Sequence, residues 1–270
     1  MPMRPTAFAK ASAVAFGVTL SGAWMAAPGL GAAQSRDALS PYRPPSKDPR
    51  NIAGAYQRGD DGGDIFPVEG GLPPLTPAAK AIYDRRVEAE KTGAPQADVA
   101  TSCLPQGTPR ILLGSFPHFI YQVDKEHSAS GVEEVIFMHE LMHLVRHVYI
   151  GEAHPAELDP TFLGHQVGRW EGDTLVVDTV GLKDLTWVDD AGIPHSKDFH
   201  VVERWRKIKG GAQLEVLITL EDPAVFTRPW TTRRVFDWSP NIRETEYVCE
   251  ENNRNSPDET GRTGVVLTGR

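Results

Sequence analysis

Two histidines and a glutamate stand in the spacing His139-Glu140-Leu-Met-His143, the HExxH pattern of zinc peptidases. On a helix, this spacing directs both imidazoles to one Zn²⁺ and places the glutamate beside the attacking water. His147 continues the four-residue spacing. These residues make a zinc metallopeptidase one candidate function, provided that the segment is helical.

The composition around this pattern argues against a helix. Residues 132–150 are apolar on every side and rich in β-branched side chains, which favours a strand buried on both faces. On such a strand His139 and His143 would lie roughly 13 Å apart, at about 3.3 Å per residue, and could not share a metal ion. A third ligand is also missing, because position 149, a standard place for it, is a tyrosine. We therefore expect residues 133–150 to be extended, and we expect neither a metal nor another cofactor.

Other ionisable residues are spread among segments that otherwise look like core strands. Histidine with aspartate or glutamate is the usual set for moving protons, and a pair in different environments can act as acid and base at one pH. We expect His143 to act as the base, with His195 and Glu203 in supporting roles. His165 and Asp178 are further catalytic candidates. The predicted substrate-binding residues are Arg146, Trp170, His200, Trp230 and Glu246.

Each of these residues also has a structural interpretation. His195 could simply organise a turn. His165 and Asp178 lie on the two arms of one predicted hairpin, where they could form a cross-strand pair without a catalytic role. Glu203 could pair with an arginine of a neighbouring strand. Most tryptophans are expected in the core, although one or two could line a pocket for an aromatic or apolar ligand.

The sequence shows no motif for covalent catalysis or nucleotide binding. It contains no Gly-x-Ser-x-Gly elbow, no phosphate-binding glycine loop and no dinucleotide fingerprint. The chain is also acidic, with a formal net charge of −8, which disfavours nucleic acid as a partner. The remaining functions are non-covalent acid–base chemistry on a small molecule and ligand binding alone.

From about residue 110 onward, turn residues separate short β-type runs with a period of two. The block Trp170-Glu-Gly-Asp173 supplies the turn of one hairpin, and Gly210-Gly211 supplies the turn of another. About eight such segments suffice for a mainly β fold, either an antiparallel up-and-down barrel or a two-sheet sandwich of the calycin kind. The predicted strands are 111–123, 133–150, 165–170, 174–180, 199–208, 214–220, 230–238 and 243–249.

One N-terminal helix should precede these strands. Thr76 is a suitable N-cap, Pro77 suits the first helical position and Gly93 ends the pattern. Residues 75–253 are therefore predicted to form a single β-rich domain led by this helix. An extended arm or linker at 34–74 should come before it, and a flexible tail at 254–270 should follow.

The first 33 residues have the composition of a secretory signal peptide. Arg4 and Lys10 precede an apolar stretch that ends in small residues before Gln34, and this stretch is too short and interrupted for a good membrane span. The predicted location is the periplasm or the exterior, with no stable membrane anchor after cleavage. In such a compartment Cys103 and Cys249 are expected to form a disulfide.

Several blocks of the chain resemble a group of exported bacterial proteins that has no established activity. The most specific is Gly168-Arg-Trp-Glu-Gly-Asp-Thr-Leu-Val-Val-Asp-Thr179, and the likeness covers roughly residues 70–253. In that group the strand that matches 133–150 tends to carry the counterparts of Glu140, His143 and Arg146, without a fixed partner at His139. The resemblance supports export and the β fold but implies no reaction. The other shared blocks are 103–110, 194–196, 203–204, 221–223, 229–230 and 249–252.

The functional hypothesis is an exported, barrel-like protein that acts on a small apolar or aromatic molecule. Its chemistry would be non-covalent proton transfer by histidine and carboxylate groups, as in an isomerase, a lyase or a hydrolase. One alternative is a non-catalytic carrier of the lipocalin type, which the same fold would support. The other is the HExxH zinc peptidase.

Overall fold

Short strands with alternating apolar side chains close into a barrel. The computed structural model describes residues 44–59, 62–94 and 96–249, and within these ranges it contains nine strands and one α-helix. Each strand pairs with its neighbours in sequence and the last pairs with the first, so that the sheet closes. The prediction of a mainly β barrel with one helix is confirmed, and the sandwich alternative does not form. The strands are β1 Gly54–Arg58, β2 His118–Val123, β3 Glu134–His139, β4 Leu144–Ile150, β5 His165–Glu171, β6 Thr174–Val180, β7 His200–Ile208, β8 Gln213–Glu221 and β9 Trp230–Trp238.

One neighbouring pair of strands is parallel. All the other pairs are antiparallel, as predicted, but β4 and β5 run in the same direction, so the strictly up-and-down order fails at this place. A parallel pair needs a connection that returns along the sheet, and residues 151–164 supply it. Only the last three residues of β4 pair with β5, through Val148↔Gln166, Tyr149↔Val167 and Ile150↔Gly168.

The segment 133–150 is not one continuous strand, which corrects the prediction. It folds back on itself as the antiparallel hairpin of β3 and β4, so that His139 pairs with Leu144 across the turn. Met142 and His143 take positive φ values of 58° and 51°, a region that side-chain-bearing residues rarely adopt. The turn contains no Gly, Pro or Asn, the residues from which a turn is usually predicted. It is stabilised by a contact with a distant part of the chain, because the Glu140 carboxylate accepts a hydrogen bond of 3.0 Å from the Thr245 amide.

Inside the barrel, the apolar faces of the strands meet in one core. The predicted alternation of β8 is confirmed, since Leu214, Val216, Ile218 and Leu220 are fully buried. Aromatic side chains belong to the same core, and Phe137 and Trp205 lie with their ring centroids 5.0 Å apart. The interior is therefore packed with side chains along much of its length.

The predicted helix and disulfide are both confirmed. Helix α1 spans Pro77–Thr92; the Thr76 side chain accepts a hydrogen bond from the Ala79 amide at its start, and Gly93 caps its end with a φ of 66°. Cys103 and Cys249 are joined across 146 residues of sequence.

Three predicted segments differ in the structure. The arm at 34–74 contributes β1, because the edges of β2 and β9 both offer it partners. The run 111–123 forms strand only from His118 onward, since Pro117 has no amide hydrogen for a ladder. The run 243–249 is not a strand, because the closed barrel leaves it no free edge.

The predicted signal peptide at 1–33 and the predicted tail at 254–270 lie outside the described residues. Within the described part of the chain, no helix has the length and apolar character needed to cross a membrane.

Candidate functional site

A cleft opens in the barrel wall where β4 and β5 diverge. The first half of β4 has no partner in β5, and a space of about 360 Å³ lies between them. Leu144 and Gln166, which belong to the inward-facing rows of their strands, reach into this cleft. Most of its other side chains are apolar or aromatic. The lining residues are Pro105, Leu144, Val145, His147, Tyr149, Thr161, Phe162, Leu163, Gly164, His165 and Gln166.

His165 connects this cleft to a row of hydrogen-bonded side chains on the outer face of the barrel. Its Nδ1 lies 2.8 Å from Nδ1 of His154, whose Nε2 lies 3.0 Å from Oδ1 of Asp178. The same oxygen lies 3.0 Å from Nε2 of His200, whose Nδ1 is 3.5 Å from a carboxylate oxygen of Glu221. We call these five residues the histidine–carboxylate chain. It links residues of β5, β6, β7 and β8 with the connection after β4.

The middle of the histidine–carboxylate chain holds a carboxylate. The hydrogen bond from His200, opposed by partial burial and reinforced by the bond from His154, lowers the pKa of Asp178. The hydrogen bond to Asp178 raises the pKa of His200, although partial burial acts against it and Glu221 adds to it. Asp178 is therefore negatively charged at neutral pH, and both of its histidine partners donate to it.

The charge on Asp178 determines which ring nitrogens of His154 and His165 are protonated. Because Nε2 of His154 donates to Asp178, a neutral His154 has an unprotonated Nδ1, which must accept from Nδ1–H of His165. His165 then has a lone pair on Nε2. Burial, together with the neighbouring His154, lowers the pKa of His165 and keeps it neutral. A neutral imidazole with a free nitrogen beside an apolar cleft is suited to accept a proton.

A second histidine with a carboxylate partner lines the same cleft. His147 places Nδ1 2.9 Å from a carboxylate oxygen of the buried Glu134. Burial opposes ionisation of Glu134, but hydrogen bonds from Ser128, Ser130 and His147 outweigh it and lower its pKa. Between the two histidines lies Tyr149, whose ring stacks on His165 at 5.7 Å and on His147 at 6.3 Å. The cleft thus has a histidine at either side of an aromatic surface.

Glu203 and Arg146 lie inside the barrel, away from solvent. Nη2 of Arg146 donates to Glu203 over 2.9 Å, and the Trp205 indole donates to the other carboxylate oxygen over 2.9 Å. Both charged side chains are fully buried. The structural interpretation of Glu203 was a pairing with an arginine of a neighbouring strand. Its partner is an arginine, but Arg146 belongs to β4, which is not next to β7, so the ion pair crosses the barrel interior. Neither residue lines the cleft.

Two more histidines lie in the barrel interior. His118 and His139 face each other across β2 and β3, with their Nδ1 atoms 2.8 Å apart. Burial lowers the pKa of His118 to about 3, and burial, His118 and Arg146 lower that of His139 well below its usual value. Both rings are therefore neutral. Since His139 is enclosed while His143 is 41% exposed, the HExxH residues do not converge on one ion.

The other predicted site residues are dispersed. His143 contacts the C-terminal segment, with Nε2 3.1 Å from the Thr245 carbonyl oxygen and 3.3 Å from the Tyr247 amide nitrogen. His195 is buried in a loop, where it bonds to Thr186 and burial lowers its pKa. Trp170 packs under Arg50, Trp230 is buried against Phe226 and Glu246 is exposed. None of these five lines the cleft.

Of the ten predicted catalytic and binding residues, the structure brings His165, Asp178 and His200 together. Glu221 and His154, which are not among those ten, complete the histidine–carboxylate chain. The sequence had given no reason to select His154. It lies in a loop next to Pro155, and only the return of that loop along the parallel pair places it between His165 and Asp178. Among the described residues, no group of three or more His, Cys, Asp or Glu side chains is arranged to hold a metal ion.

Comparisons of this chain with protein-family models, with curated proteins and with solved structures gave no match in any of the three.

Proposed function

We propose that the protein is an acid–base enzyme that acts on a small apolar or aromatic molecule in the cleft between β4 and β5. The observation that carries this proposal is the double position of His165, which lines the cleft and also ends the histidine–carboxylate chain. Enzymes place a neutral base in this way when a proton must leave the substrate and a nearby carboxylate must balance the resulting charge.

His165 is the general base. Its Nε2 takes a proton from a carbon, a hydroxyl group or a water molecule, and its Nδ1 proton passes to Nδ1 of His154. His154 is then an imidazolium beside the Asp178 carboxylate, which stabilises it at a distance of 3.0 Å. His200 and Glu221 hold Asp178 in place from the other side. No step requires a covalent intermediate.

The lining of the cleft supports an apolar or aromatic substrate. Tyr149, Phe162 and Leu163 provide flat and aliphatic surface, and the volume of about 360 Å³ is in the range of small-molecule sites. His147, held by Glu134, is a second group that could exchange a proton with the same substrate. Removal of a proton at one side and return at the other is the pattern of an isomerase, and loss of a leaving group is that of a lyase.

Proton exchange of an aryl-substituted ketone tests this proposal without knowledge of the natural substrate. We expect the wild-type protein to accelerate the exchange of the α-protons of phenylacetone in D₂O, followed by ¹H NMR. His165→Ala should reduce the rate by about a hundredfold, the usual effect of a positioned base. The matched control is His127→Ala, because His127 is exposed and lies outside the cleft.

Two results would overturn the proposal. Equal exchange by the wild type and His165→Ala would remove His165 from the chemistry. Saturable binding of phenylacetone to the wild type without any acceleration of its α-proton exchange would favour the carrier instead.

A further inference from the structure

A second pocket lies between α1 and the loop that carries Trp187, and it shares no residue with the cleft. Its volume is about 270 Å³. Its lining combines three apolar side chains with two arginines, an indole and an amide. The lining residues are Ile82, Arg85, Arg86, Ala89, Gln96, Ala97 and Trp187, and we call this space the arginine pocket.

Two buried polar atoms of the arginine pocket have no hydrogen-bond partner in the described structure. One is the indole Nε1 of Trp187, a donor, and the other is the amide Oε1 of Gln96, an acceptor. Trp187 as a whole is only 5% exposed. Buried donors and acceptors are nearly always paired, so each exception calls for an explanation, and a bound molecule would supply one here.

Arg86 adds a positive charge that forms no direct ion pair with a described carboxylate, although Asp98 and Asp189 lie near enough to interact with it. Its guanidinium lies over the Trp187 ring at 4.5 Å and donates to the Gly192 carbonyl over 2.9 Å. Burial lowers the pKa of Arg86 to about 10. Among the described residues, no carboxylate lies within ion-pair distance of it, and the nearby Asp98 forms two hydrogen bonds of 2.7 and 2.8 Å with Arg110 instead.

We propose that the arginine pocket binds a small organic carboxylate that also carries an amide N–H or a hydroxyl group. Arg85, Arg86 and the Trp187 indole N–H supply donors for the carboxylate, and a guanidinium matches its planar geometry. Gln96 Oε1 accepts from the ligand's own N–H or O–H group. Ile82, Ala89 and Ala97 leave room for an aliphatic body of a few carbon atoms.

N-acetylglycine is a suitable probe because it has both a carboxylate and an amide N–H group. We expect it to shift the indole N–H signal of Trp187 saturably, in ¹⁵N–¹H spectra of the full chain, at millimolar concentration. The signal is assigned from its loss in Trp187→Phe. The methyl ester of the probe, acetate and inorganic phosphate should each bind more weakly, because each lacks the charge, the N–H group or the planar geometry.

Substitution of Arg86 tests the assignment. Arg86→Gln should weaken N-acetylglycine about tenfold, the order of effect of a hydrogen bond to a charged group, and Arg86→Lys should restore part of the affinity. The matched control on the same helix is Lys91→Gln, since Lys91 lies outside the pocket. Thermal unfolding shows whether each variant is folded.

Three results would overturn the proposal: no saturable shift with folded wild-type protein, equal affinity of wild type and Arg86→Gln, or tighter binding of phosphate than of the carboxylate.

Discussion

The Nδ1 atoms of His154 and His165 lie 2.8 Å apart, so one ring must donate its proton to the other. The Asp178 carboxylate on the far side of His154 determines the direction, because it requires a proton on the opposite nitrogen of that ring. Of the four ring nitrogens of His154 and His165, Nε2 of His165 is therefore the one with an available lone pair.

Asp178→Asn should lower kcat/KM for proton exchange by about a hundredfold or more, because the amide no longer balances an imidazolium at His154. The rate of phenylacetone exchange against pH measures the effect. Glu171→Gln is the control, since Glu171 pairs with Arg169 and Arg204 on the same outer face and not with a histidine. An unchanged rate in Asp178→Asn would remove this carboxylate from the mechanism.

His200 should stabilise the fold on the acid side of neutrality. Its pKa is raised in the folded state, so its contribution is complete below about pH 6.5 and is lost as the pH rises through the folded value. The lowered pKa of Asp178 has the opposite effect on stability. The stabilisation that the Asp178 carboxylate contributes is complete above about pH 3.8 and is lost as the pH falls below that value. The free energy of unfolding of His200→Gln, measured in urea, should therefore differ most from that of the wild type between about pH 3.8 and pH 6.5. A difference that grows above pH 7 would contradict the assignment.

The interior histidines should make the barrel sensitive to acid. Burial lowers the pKa of His118 to about 3, so an unfolded chain binds more protons than the folded one between that value and about pH 6.5. Stability should fall steadily over this range as the pH falls. His118→Phe should have a flatter profile in the same urea titration. If the slopes of the two proteins are equal, His118 is not neutral in the fold.

The pair of Arg146 and Glu203 should behave as a unit. Arg146→Met leaves a buried carboxylate without its cation and should cost about 3–5 kcal/mol of unfolding free energy. The double variant with Glu203→Leu removes both charges and should recover much of that loss. Urea unfolding of wild type, both single variants and the double variant gives the coupling energy. Additive losses would mean that the two charges do not interact.

Removal of the disulfide should lower stability by about 3–5 kcal/mol, because the bridge closes a long loop in the unfolded chain. The variant carries both Cys103→Ser and Cys249→Ser. Its free energy of unfolding is compared with that of the wild type under oxidising conditions, and wild type under reducing conditions should show the same loss. The segment before Cys249 is also held by Glu140 and His143, so we expect the folded barrel to persist. Complete unfolding of the double variant at neutral pH would contradict this expectation.

The strands could be predicted wherever local sequence determines them. The hairpin of β7 and β8 has a strict alternation and a Gly210-Gly211 turn, and its bounds were correct to within one residue. The turn of β3 and β4 could not be predicted, because no glycine or proline stands between Glu140 and His143. Its stability comes partly from Thr245, more than a hundred residues away in the sequence.

The site was partly predictable for the same physical reason. Asp178 and His200 belong to paired strands with clear patterns, so both could be placed on strands from the sequence alone. The position of His154 depends on how a fourteen-residue connection, 151–164, crosses the outside of the barrel, and side-chain periodicity gives no information about such a path. The part of the site that depends on this one loop residue could therefore not be predicted from the sequence.

The parallel pairing of β4 and β5 is also a matter of parity. In a ring of strands where every neighbour runs the opposite way, directions must alternate, and alternation closes only with an even count. Nine strands form the described barrel, so at least one pair had to be parallel. The odd number of strands thus requires one parallel pair, here β4 and β5. The cleft opens beside this pair, and His154 and His165 lie next to it.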